Sequence, residues 1–156
     1  MRLWHKNLIP YLPDLQLKGQ WRECRLIADG LAKNGTPNHL LVNKITEFLA
    51  PHFLNYTELV CEEMKKRNFV ATEQSINKFS EDYAAYCHQD KRWLRGIGGQ
   101  CDCLFEDWHN KEYLRVCMAN LYEKHFFGVG KSRITDEEWE TLCRGYKEIT
   151  GEEYVI

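Results

Sequence analysis

A chain of 156 residues, 44% of them hydrophobic, can bury one real core and is expected to form one domain. It contains no run of about 18 apolar residues, which excludes a conventional membrane-spanning helix. The net charge of −2 does not announce a nucleic-acid partner, but its distribution is uneven. Residues 1–46 hold seven Lys/Arg against three Asp/Glu, whereas residues 47–156 hold fourteen against twenty. The acidity is densest at 135–156, with seven acids and two bases. A basic face is therefore expected from the N-terminal segment.

The opening, MRLWHKNLIPYLPD, is interrupted by charge and proline and lacks a small-residue cleavage site, so no signal peptide is read and Met1 is expected to start the mature protein. Pro13 suits a helix start, and Asn34-Gly35 a helix stop, giving a first helix from there to about Lys33. A second helix is expected over Val42–Asn68, with Pro51 kinking or dividing it. Residues 75–87 read as a third helix, 88–109 as irregular, and 110–125 and 135–150 as two more. Thr135 and Glu138 form a capping-box pattern for the last. No strand pattern stands out. The fold class expected is all-α, a compact single-domain bundle of about five helices over 1–156.

Seven cysteines, an odd number without an export signal, point to reduced thiols and a cytoplasmic location. Cys24, Cys61, Cys117 and Cys143 fall inside helical patterns, where cysteine is usually a small core residue.

The first helix separates its residue types. At 3.6 residues per turn, Leu17, Trp21, Cys24, Ala28 and Leu31 share one stripe, the core face. Lys18, Arg22 and Arg25 lie largely opposite. Glu23 sits on a flank with Gln16, Gly19, Gln20, Ile27 and Gly30. Two glycines on one flank cost roughly 1 kcal/mol each against alanine and suggest close approach by a backbone or a ligand. The plainer alternative is helix packing at Gly19, fraying at Gly30 and a solvated Glu23.

As a string, MRLWHKNLIPYLPDLQLKGQWRECRLI resembles the pyrimidine-dimer DNA glycosylases, the excision family typified by phage endonuclease V. That family has an arginine near the amine and then a helix with an aromatic-Arg-Glu triplet, here Trp21-Arg22-Glu23. Asp14 and Leu17 fit the helix start. The stretch EFLAPHFLNYTELVCEEMKKRNF, 47–69, resembles the family's long later helix. The likeness covers residues 1–31 and 45–70; the part from 71 to 156 matches weakly. Bacterial proteins opening with MRLWH are also similar.

The resemblance implies base excision coupled to strand cleavage through a Schiff base on an N-terminal α-amine. An α-amine ordinarily titrates near 7.7–8.0 against about 10.4 for lysine, so a neutral fraction exists at pH 7. In the family the amine belongs to a small residue exposed after methionine removal. The large Arg2 side chain retains the initiator, so the amine falls to Met1. Glu23 takes the carboxylate's place, moving protons and facing the developing cation. Arg2 and Arg22 would hold phosphates, Arg25 and Lys18 would assist, and Gln16, Gln20 and Trp21 would line the space for an extruded nucleotide. The partner implied is damaged double-stranded DNA, with no cofactor, metal or membrane. A catalytically inactive nucleic-acid-binding module and a helical protein-interaction protein are the alternatives.

Other constellations are weaker. Cys101-Asp102-Cys103, with Cys87-His88 and His109, has one residue between the cysteines where structural zinc sites have two to four. The segment from Lys91 to Arg95 beside Gly96-Ile97-Gly98-Gly99 is basic and aromatic; it suits either a nucleic-acid backbone or a solvated turn. His5 lies close to the amine in sequence and is expected to pack or face water rather than move protons. In the fourth helix, Tyr113, Leu114, Cys117, Leu121 and Tyr122 read as core.

Overall fold

A computed structural model describes residues 1–90 and 103–156. Among these residues there is no strand, and the fold is all-α. Five α-helices run in order: α1 (Asp14–Asn34), α2 (Ala50–Lys66), α3 (Glu73–Gln89), α4 (Lys111–Phe126) and α5 (Asp136–Thr150). Short 3-10 turns occupy Lys6–Tyr11, Asn43–Glu47 and Gly130–Ser132. No helix of the described residues is long and apolar enough to cross a membrane.

The helix limits follow local chemistry. After α1, Gly35 takes a φ of +69°, a left-handed stop that glycine enters without a Cβ penalty. Of the two effects expected of Pro51 within Val42–Asn68, kinking or dividing the helix, the structure shows division. Pro51 stands in the first turn of α2, where a missing N–H is harmless, and residues before it form the 3-10 turn and an extended Leu49. Thr72 caps α3 by accepting from the Ser75 N–H. Thr135 and Glu138 close the expected capping box on α5.

Two compact units result. The first comprises Met1–Leu3 and Lys18–Phe105; the second, Trp4–Leu17 and Glu106–Ile156. In the first unit, Trp21 of α1 and Phe53 of α2 both meet Phe79 of α3, with ring centroids 5.8 and 5.7 Å apart. Phe105 seals another side, 5.1 Å from Phe48 and 6.0 Å from Tyr56. Its backbone N–H donates to His52 Nδ1 at 3.0 Å. In the second unit, α5 packs on α4 and on the Lys6–Tyr11 turn. Leu114, Cys117 and Leu121 of α4 are buried, whereas Tyr113 and Tyr122 are half-buried, at the edge of the core rather than inside it.

On α1 the stripe Leu17, Trp21, Cys24, Ala28 and Leu31 is buried, but so are Gln20 and Ile27. The buried arc is therefore wider than the apolar stripe and takes in part of the flank that carries Glu23. The two glycines exchange their plainer roles. A Cβ on Gly30 would stand 3.1 Å from Pro37 Cα, so Gly30 is the close approach, made to the chain's own returning backbone. Gly19 has nothing within 4 Å of its would-be Cβ.

Candidate active site

The N-terminal residues of the first unit are held by the inward flank of α1. Leu3 is fully buried and anchors the segment. One helical turn separates Gln20 from Glu23, so their side chains project along the same side of α1. The Arg2 peptide unit lies between them. The Arg2 backbone N–H donates to Glu23 Oε2 at 2.9 Å. Gln20 Nε2 donates to the Arg2 carbonyl oxygen, also at 2.9 Å. Gln20 Oε1 in turn accepts from the Tyr56 hydroxyl at 3.1 Å. Gln20 and Tyr56 are essentially inaccessible, so α2 fixes Gln20, Gln20 fixes Arg2, and the orientation of the Gln20 amide follows from the network.

This clamp aims the first residue. The Met1 α-amine lies 4.0 Å from Glu23 Oε1. The side chains of Met1 and Glu23 retain 19% and 24% exposure, so the pair sits at a partly desolvated position. One carboxylate thus does two things: Oε2 secures the amide that follows the amine, and Oε1 faces the amine itself. Glu23 is neither a solvated flank residue nor a buried structural acid.

Adjacent α1 residues hold no competing nucleophile. Cys24 is fully buried beneath the site, and burial pushes its thiol up to about 12. Cys61 is likewise pushed up to about 11, first by burial and then by Glu58 and Glu62. Neither is a thiolate near neutral pH.

The remaining expected residues are distributed differently. Arg22 and Arg25 are exposed and line a groove of about 170 Å³ with Leu26, Asp29, Lys78, Phe79 and Asp82. Lys78 pairs there with Asp82, and lies 3.8 Å from Asp29. Lys18 places its ammonium 3.8 Å from the centre of the Phe69 ring, a cation–π contact. Trp21 is core, 7% exposed. Gln16 is half-buried and belongs to the second unit. His5 also belongs there and is buried against His109.

Residues 91–102, which include the basic aromatic segment and Cys101, lie outside the described residues. Cys103 is exposed, and among the described residues no group of three or more His, Cys, Asp or Glu side chains is arranged to hold a metal ion. Sequence reasoning placed Gln20 only as a possible pocket wall and missed Tyr56. The available signal was the glutamine on a helix face otherwise turning inward, since a buried amide requires partners.

No curated protein and no solved structure gives a significant match to the chain. A family model described as pyrimidine dimer DNA glycosylase matches residues 1–77 continuously. The match runs through the Met1–Arg2 segment, α1 with Gln20 and Glu23, and α2 with Tyr56. Over residues 1–77, just under half of the chain, the sequence is similar to the pyrimidine dimer DNA glycosylase family.

Proposed function

We propose that this protein is a DNA glycosylase with coupled abasic-site lyase activity on damaged duplex DNA, and that the Met1 amine is its nucleophile. Pyrimidine dimers are the lesion class the family points to. The observation that carries the reading is the amine held 4.0 Å from Glu23 by a clamp on the residue that follows it.

The chemistry is the one that the family resemblance implies, and the geometry supports it. The neutral amine attacks the sugar C1′. The bond from C1′ to the base breaks, and the base departs with the electron pair and takes up a proton. The amine nitrogen loses a proton, and its electron pair opens the C1′–O4′ bond. O4′ gains a proton and a protonated imine remains. Removal of a C2′ proton then forms the C2′–C3′ double bond and expels the phosphate from C3′, breaking the strand. Water hydrolyses the imine and restores the amine.

Glu23 is positioned to supply the proton to O4′, to face the positive charge that develops at C1′, and to take the C2′ proton. Gln20 and Tyr56 hold the amine's peptide unit and are positioning residues. Arg2, Arg22 and Arg25 serve the phosphates, as guanidinium geometry suits. Lys18, engaged with Phe69, contributes less. Gln16 is assigned to DNA contact by the resemblance alone.

The test is sodium borohydride reduction in the presence of duplex DNA carrying one abasic site, using untagged protein beside an N-acetylated control. A covalent adduct mapped by mass spectrometry to the Met1 peptide, and abolished by acetylation, is the expected result. No adduct between about pH 6 and 8 would overturn the lyase. Salt-sensitive DNA binding without an adduct would leave a binding module.

A further inference from the structure

In the second unit, the chain between α4 and α5 presents apolar side chains to water. Phe126, Phe127 and Val129 are 62%, 72% and 81% exposed. The tip is mounted on a firmly built base. A Cβ on Gly128 would collide with the Lys124 carbonyl oxygen and lie 2.9 Å from Arg133 Cα, so the chain passes too close for any other residue. Gly130 takes a φ of +61° and opens the Gly130–Ser132 turn. The Ile134 N–H donates to the Lys124 carbonyl at 3.3 Å, the Ser132 hydroxyl to the Val129 carbonyl at 3.0 Å, and His125 Nδ1 lies 3.0 Å from the Ile134 carbonyl oxygen. Ile134 is fully buried.

Aromatic rings back the tip. Phe126 meets Phe127 edge-on at 4.9 Å and stacks on Tyr122 at 5.7 Å, while His125 stacks on Trp139 at 5.5 Å. Such a mount keeps the apolar side chains exposed instead of letting them fold inward, and rigid exposed apolar surface marks a contact site. Its surroundings are cationic. Residues 124–135 contain Lys124, Lys131 and Arg133 and no acid. All three are exposed, and among the described residues none forms an ion pair with a carboxylate. Of the acids that border this stretch, Asp136 lies 3.9 Å from His125 and Glu138 closes the α5 capping box, while Glu123 and Glu137 are exposed.

Apolar rings flanked by unpaired cations complement a partner that alternates flat apolar faces with regularly spaced anions. We propose that the Phe126–Arg133 loop is a second DNA contact, in which Phe127 and Val129 press against unstacked bases while Lys131 and Arg133 hold backbone phosphates. This inference rests on the DNA reading above. It is independent of the amine chemistry.

The experiment titrates the full chain against labelled duplex DNA with one abasic site, over roughly 50–200 mM salt. Lys131→Ala with Arg133→Ala is expected to flatten the slope of log affinity against log salt by about 1.8. Phe127→Ala with Val129→Ala is expected to weaken binding roughly tenfold at every salt, with the slope unchanged. Phe127→Trp, which keeps the apolar volume, is expected to bind normally and lose fluorescence on DNA. Unchanged affinity and slope in both double variants would overturn the proposal. So would a Phe127→Trp signal that answers to phosphatidylserine vesicles but not to DNA, which would make the loop a membrane contact. Native protein that binds DNA without borohydride trapping removes only the lyase and leaves this test intact. Native protein that binds no DNA overturns both readings.

Discussion

Each unit contains a polar cluster that holds a stretch of backbone, and the two clusters differ in how they end. In the first, Gln20, Tyr56 and Glu23 hold Arg2, and the network terminates in the chain's amine and a partly exposed carboxylate. In the second, His5 and His109 stack at 5.3 Å and are 3% and 4% exposed. The His109 Nδ1 accepts the Lys6 N–H at 2.9 Å, and His5 Nδ1 accepts the Asn7 N–H at 3.2 Å. That leaves the His5 proton on Nε2, which donates to the His109 carbonyl at 2.8 Å. His5 is therefore committed to backbone through both ring nitrogens, and His109 through Nδ1. Burial first, then for His5 the charge of Lys6 and for His109 the charges of His5 and Lys6, hold His5 down at about 4 and His109 at about 2. On the proposed function, similar polar side chains serve chemistry where the network stays open and folding where it closes.

The comparison breaks most decisively at Glu23. Glu23→Gln keeps an acceptor for the Arg2 N–H but removes the charge and the exchangeable proton. Single-turnover strand cleavage is expected to fall by roughly 10² to 10⁴-fold, with DNA affinity nearly unchanged. A variant that cleaves at the native rate would show the open cluster to be structural too.

Acid tests the closed cluster. Both histidines are held below their unfolded value of about 6.5. As pH falls through that value the unfolded chain gains protons that the fold refuses. Their contribution is thus complete above about pH 6.5 and is lost as pH drops towards 4. For His5 alone the loss is on the order of 3 kcal/mol by pH 4. Urea unfolding from pH 7 to 4.5 reads this decline, and a His5→Phe variant should show a flatter one.

A smaller effect is expected at Gln20. Gln20→Leu leaves the Arg2 carbonyl and the Tyr56 hydroxyl without that partner and should destabilise the chain by about 1–3 kcal/mol. It should also slow trapping at saturating DNA, in the rate of the step rather than in affinity, because the amine loses its alignment. Smallest of all, Arg22→Ala should leave the trapping rate of bound DNA intact and flatten the salt slope of binding by about 0.9.

Much of the fold was legible in the sequence because its signals are local. Pro13, the Asn34-Gly35 pair, Pro51 and the Thr135–Glu138 box each act within one helical turn of the boundary they mark. Glu23 was legible through its place in a motif, and Met1 through the chemistry of its amine. Gln20 and Tyr56 were not, because the clamp joins residues 18 and 36 positions apart. The His5–His109 pair spans 104. The exposed Phe126 and Phe127 look like core in any apolar count. They close α4 just before the tight turn at Gly128. Gly19 and Gly30 show the same limit: spacing puts both on one flank, but only the returning Pro37 backbone decides which of them must lack a side chain.

The clamp on Arg2 also sets a length. Secured at its carbonyl and its amide, that peptide unit leaves one residue to span the gap to the carboxylate. A residue added before Met1 carries the terminal nitrogen onward by about 3.8 Å, as far as the whole present separation, and replaces a basic amine with a neutral amide. A residue removed leaves Arg2 itself as the terminus, with its nitrogen already bonded to Glu23. On the proposed mechanism the clamp is a ruler one residue long, and an extension at the front of the chain is expected to abolish the borohydride trapping that the same extension at the back would spare.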